Sequence, residues 1–137
     1  MLTGAVRTAM EGVFPVNIVT CSCEGIPNST LLSQVWYVDE RHIALSDQYL
    51  NKTRVNLMGN PNALLRIYGE DLRTFDLRIE YLRTETSGEV FKQMALKLEA
   101  IASYMGMLDR FVLRGADIYK VLEVRERTHY WKREEEE

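Results

Sequence analysis

The sequence predicts a mainly β protein built as an antiparallel barrel, and three observations carry that expectation. About six segments show strand patterning, only three stretches show helical periodicity, and almost every connection is short enough for sequence neighbours to pair as hairpins. At 137 residues and 46% hydrophobic content the chain can bury one sizeable core but not two ordinary ones. Residues 1–129 are therefore read as a single domain and residues 130–137 as an acidic tail.

The elements follow in order. Residues 3–11 have helical spacing, with Thr3 as a candidate N-cap and Val6, Ala9 and Met10 on one side. Period-two patterning then begins around Phe14 and gives three strands in a meander: VFPVNIVTCSC, STLLSQVWYV and HIALS. Their turns are EGIPN and DERH. A short helix beginning near Asn51 ends at Gly59-Asn60-Pro61. Residues 62–68 and 74–84 form the next two strands around Gly69-Glu70-Asp71. In the second of these, Phe75, Leu77, Ile79 and Tyr81 alternate with Asp76, Arg78 and Glu80, which predicts one buried and one wet face. A helix is expected over about residues 88–104, with a stripe at helical intervals from Val90 to Met105 and capping-box spacing at Thr86 and Glu89. The final strand, RFVLRGADIYKVLEVRE, has Gly115 as an expected bend or bulge.

Composition narrows the function. The formal charge is −3, and Glu134 to Glu137 supply four of the negatives, so removing them leaves about +1 on the body of the chain. No basic field points to nucleic acid. No apolar run reaches the roughly 20 residues that span a bilayer, and no signal peptide is evident, so a cytoplasmic protein is expected. Cys21 and Cys23, two apart on a strand, share a face and are poorly placed to bridge each other; they read as thiols in a reducing compartment. With His42 and His129 isolated in sequence, the donors near them do not make up the four ligands zinc takes, and no metal is expected.

Common catalytic signatures are missing: there is no GxGxxG, Walker loop, GxSxG elbow or HExxH. The stretch SDQYLNKT is more informative. With Asn51 as a cap, Lys52 and Thr53 occupy the first turn of a helix, where free N–H groups and the positive dipole end favour an anion. A cation there opposes the dipole, unless a phosphate lies between it and the helix end. The alternative is a solvated surface lysine. In the strand before it, Ser33 and Gln34 interrupt an apolar run, either to meet the edge of a planar heterocycle or simply to face backbone and solvent.

The stretch GVFPVNIVTCSCEGIPNSTLLSQVWYVDERHIALSDQYLNKTRVNLMGNPNALL, with its E-G-x-P turn and K-T-x-x-N-x-x-x-N-P helix, resembles the pyridoxamine 5'-phosphate oxidase-like FMN-binding split barrels. RTETSGEVF, IASYMGM and LRGADIYKVLEV extend the likeness over residues 3 to 127. The resemblance implies a six-stranded antiparallel split barrel with a few flanking helices, forming a homodimer with FMN in the grooves between subunits. By position, Ser33, Gln34 and Val35 would lie beside the isoalloxazine or ribityl chain, and Ser46, Gln48, Lys52 and Thr53 would hold the ribityl and phosphate. Two features depart from the vitamin-forming oxidases. The arginine and lysine flanking their second strand are replaced by Thr30 or Leu31 and Trp36, and the chain closes on THYWKREEEE rather than on an arginine-containing substrate clamp. The fold name thus describes architecture better than reaction.

The function expected is that of an FMN-dependent oxidoreductase acting on a small molecule that the sequence does not identify, with the flavin carrying the chemistry. Two rivals stand beside it: a non-catalytic flavin, deazaflavin or haem binding or sensor module, and a cofactor-free dimeric interaction domain. Trp36, Tyr37, Tyr130 and Trp131 read first as core or interface, and Arg114 as a surface cation or a residue facing a partner's flavin.

Overall fold

The computed structural model describes residues 1–12, 16–32, 35–47, 51–70, 73–105 and 113–128. Along the chain these form α1 (Gly4–Met10), β1 (Val16–Cys21), β2 (Pro27–Leu32), β3 (Val35–Asp39), β4 (His42–Asp47), α2 (Asn51–Gly59), β5 (Asn62–Tyr68), β6 (Arg73–Glu85), α3 (Glu89–Met105) and β7 (Gly115–Thr128). The strands make one antiparallel sheet in the order β2-β1-β5-β6-β7-β4-β3. Two local hairpins, β1–β2 and β3–β4, flank a centre of β5, β6 and β7. The first docks on β5 and the second on β7.

Seven strands correct the expected six. The segment read as one strand, residues 29–38, divides into β2 and β3 because its halves pair with different partners. Leu32 lies opposite Val16 on β1, whereas Val35 lies opposite Leu45 on β4. These partners belong to opposite sides of the sheet, and one straight strand cannot serve both. The same division curls the sheet. Three peptide steps from Leu32 to Val35 reach at most about 11 Å, whereas the edges of a flat seven-stranded sheet would stand about 29 Å apart. The edge strands must therefore approach each other, which gives a barrel with its opening between β2 and β3.

Alternation along the strands fills this barrel. Ile18, Ile43, Leu45, Leu65, Ile67, Leu77, Ile79 and Tyr119 are fully buried inside it, and Val6 and Met10 of α1 pack onto the same cluster. Thr3 has the extended backbone of an N-cap but makes no side-chain cap bond. A smaller cluster, Ala44, Met94, Ala116 and Ile118, joins the outer face of β4 and β7 to α3.

The wet face expected on β6 holds at Arg78, which is exposed, but not at Asp76, which is buried. Asp76 is carried into the sheet by two cations. Arg66 donates from Nε and Nη2 to its two carboxylate oxygens at 2.7 and 2.8 Å, and Arg127 donates from Nε at 2.9 Å. Bonds from Arg66, then its charge and the bonds and charge of Arg127, hold the Asp76 pKa below the usual carboxylate range against the opposing effect of burial. Gly115 begins β7 rather than bending it. A Cβ there would come within 2.6 Å of Thr84 Cγ2, so the missing side chain permits close approach of β6. The shifts of register fall instead at Arg78/Ile79 and Tyr81/Arg83.

Candidate functional site

Strand β4 and helix α2, separated by only three residues, carry three of the sequence-predicted residues, Ser46, Lys52 and Thr53. Ser46 lies on β4 opposite Ala116 of β7. Its side chain shares the outer face with Ala44, next to the apolar cluster under α3. The residue is 0% exposed, and its hydroxyl has no hydrogen-bond partner among the described residues. An unsatisfied buried hydroxyl costs about 1–3 kcal/mol, so a hydroxyl buried in this way is expected to have a partner beyond the described residues.

Helix α2 closes the barrel mouth with an unusual distribution of residues. Thr53, Asn56 and Leu57 are buried, whereas Val55 and Met58 are exposed at 66% and 61%. The inward face is mostly polar because it meets polar strand ends. Asn56 Nδ2 donates to Thr20 Oγ1 of β1 at 3.1 Å, while Thr53 Oγ1 lies 3.5 Å from Asn28 Nδ2 and 3.4 Å from Thr30 Oγ1 of β2. Asn56 Oδ1 is a second buried oxygen with no partner among the described residues. On the far side of the helix, Arg54 reaches Thr84 and Asp117. Lys52 is exposed on the first turn.

The structure therefore separates the predicted residues by face. Val35 sits opposite Leu45 and points into the barrel core, whereas Ser46 points to the outer face. Thr53 commits its hydroxyl to β2 and retains only its backbone for a ligand at the helix start. Ser33, Gln34 and Gln48, like Tyr130, Trp131 and His129, lie outside the described residues. Trp36 packs against the α3 cluster, with Lys97 Nζ 5.6 Å from its ring centroid, and Arg7 stacks 3.8 Å over the ring of Tyr37. Arg54, Thr84 and Asp117 were not singled out from sequence. Asn56, a fixed member of the K-T-x-x-N pattern, carried the one available signal for the polar plug. Among the described residues, no group of three or more His, Cys, Asp or Glu side chains is placed to hold a metal.

No family model and no curated relative matches the sequence. Solved structures do. An FMN-binding protein from Syntrophomonas wolfei subsp. wolfei superposes with a TM-score of 0.72 at 14% identity, over 93% of this chain and 90% of its own. A candidate pyridoxamine 5'-phosphate oxidase from Lactobacillus delbrueckii gives 0.62 at 10% identity, over 90% and 93%. The fold is that of the pyridoxamine 5'-phosphate oxidase-like split barrels. HutZ, the haem storage protein of Vibrio cholerae, shares it with a TM-score of 0.54 at 12% identity, over 88% and 90%. Within this split barrel, β4 carries the buried Ser46 hydroxyl and the start of α2 the exposed Lys52. None of the described helices is long and apolar enough to cross a membrane.

Proposed function

We propose that the chain is an FMN-binding flavoprotein that acts as a homodimeric, cytoplasmic oxidoreductase on a small molecule. The observation that carries this reading is the Ser46 hydroxyl, fully buried and without a partner among the described residues at the end of the strand that leads into α2. A ribityl hydroxyl would satisfy it. Lys52 and the free N–H groups of the first turn of α2 supply the charge and donors that a phosphate needs. In this reading Ser33, Gln34 and Gln48 contribute side chains, while Val35, whose side chain is in the core, offers only the backbone of edge strand β3. The bound flavin would supply the electron or hydride transfer, and the residues of this chain bind and orient it. Free Cys21 and Cys23 accord with a reducing compartment.

The absorbance spectrum of the protein as purified tests the reading. Flavin bands, or their appearance with saturable quenching when FMN is added, are expected, and anaerobic NADH or NADPH should bleach them. A colourless protein that takes up no FMN would overturn it. A red protein with a haem spectrum would replace flavin by the ligand of the haem storage neighbour.

A further inference from the structure

The first turn of α2 is fastened on two sides, and only one fastening, Thr53 to β2, belongs to the residues expected from sequence. The other runs through Arg54. Its Nη1 lies 3.5 Å from Thr84 Oγ1 and 3.8 Å from Asp117 Oδ1. Thr84 donates its single hydroxyl proton to the same Asp117 oxygen at 2.6 Å, so the Tyr81 hydroxyl, 2.5 Å from Thr84 Oγ1, is the donor in that contact. The side chain of Asp117 is 5% exposed, whereas that of Arg54 is 47% exposed. A carboxylate is therefore held inside the barrel mouth, where its neighbours in the register are Leu45 on β4 and Thr84 on β6. Burying a carboxylate is unfavourable unless it is paired, and an apolar side chain would serve packing at least as well.

What the carboxylate secures is helix rotation. Successive residues of a helix are about 100° apart, so Lys52 and Arg54 point about 160° apart on α2. Drawing Arg54 toward Asp117 turns Lys52 outward, and Thr53 bonded to β2 fixes the same rotation from between them. Asp117 also follows Ala116, the residue opposite Ser46. One short segment of β7 thus references both the buried Ser46 hydroxyl and the exposed lysine.

We infer that Asp117, acting through Arg54, is a positioning residue for the phosphate end of the flavin site; the inference rests on the FMN reading above. Riboflavin, which lacks the phosphate, separates positioning from general damage to the fold. Titration of the full chain with FMN and with riboflavin should show Arg54→Ala and Asp117→Asn each weakening FMN about tenfold while riboflavin stays within about twofold. The double variant should lose no more than either single one, because both break the same link. Arg54→Lys, which keeps the charge and folds with Asp117 still paired, should recover part of the loss. Parallel loss of both flavins would reduce the link to ordinary stability and overturn the inference. So would tighter FMN binding by Asp117→Asn, which would make Arg54 a phosphate ligand released from its partner. A wild-type chain that binds neither flavin overturns the FMN reading and this assignment with it, whereas wild-type FMN binding with unaltered variants overturns this assignment alone.

Discussion

At Ser46, stability and binding pull in opposite directions. If its hydroxyl is kept for a ligand, Ser46→Ala should raise the stability of the flavin-free chain by about 1 kcal/mol, read from the urea midpoint, while weakening FMN. A hydroxyl serving only the fold would give a loss instead. If Lys52 holds the phosphate, Lys52→Ala should remove a charge-assisted contact of about 1.5–3 kcal/mol and cost about tenfold or more in FMN affinity. Asp76 differs, because its partners are already present. Its folded pKa lies below the unfolded value of about 3.9, so its stabilisation is full at neutral pH and is lost as pH falls through that value toward the folded pKa. Acid should therefore lower the urea midpoint more in the wild type than in Asp76→Asn. Replacing the carboxylate should cost about 2 kcal/mol at pH 7. Arg66 and Arg127, at 33% and 45% side-chain exposure, can rehydrate and limit that loss.

Single elements show which parts of the molecule could be read in advance. The helix expected over 88–104 is α3, and the strands expected over 62–68 and 74–84 are β5 and β6, because long periodic runs leave little choice of element. Asp76 broke the pattern because its partners come from β5 and β7, which the alternation of β6 does not contain. Helix α2 was legible as a helix from its Gly-Asn-Pro stop, yet its buried polar face was not, since a helix with polar residues inward has no amphipathic signature. Lys52 and Ser46 could be found from local chemistry, whereas Arg54, Thr84 and Asp117 meet only through tertiary pairing. Gly115 marks a close approach between β6 and β7 rather than the bend its position in the strand pattern suggests. Thr84 is β-branched and bonded to Asp117, so it cannot give way, and Gly115→Ala should cost about 1–3 kcal/mol in denaturant unfolding.

At the scale of the whole molecule, the homodimer of the proposed function makes a prediction about mass. Leu31, Val55, Met58 and Leu96 are each at least 60% exposed, and an interface that used them would cover them. Sedimentation equilibrium should give twice the chain mass, and a monomer at micromolar concentration would count against the homodimer. The fold class was readable because strand spacing and short turns restrict the architecture. The strand count was not, because nothing in the apolar run across residues 29–38 reveals that its two halves join opposite sides of the sheet.

That arrangement also has a consequence for the order in which the chain emerges during synthesis. Both hairpins, β1–β2 and β3–β4, precede every strand that receives them. The first can dock once β5 has appeared, but the second has no place until β7, whose last residue is Thr128. A nascent chain that has passed α3 therefore still carries β4 with an unpaired edge, and Ser46 acquires its setting only when the final strand arrives. The end of the barrel that carries Ser46 is thus completed only after β7 has appeared, and the stretch most exposed to mispairing in the interval is β3–β4.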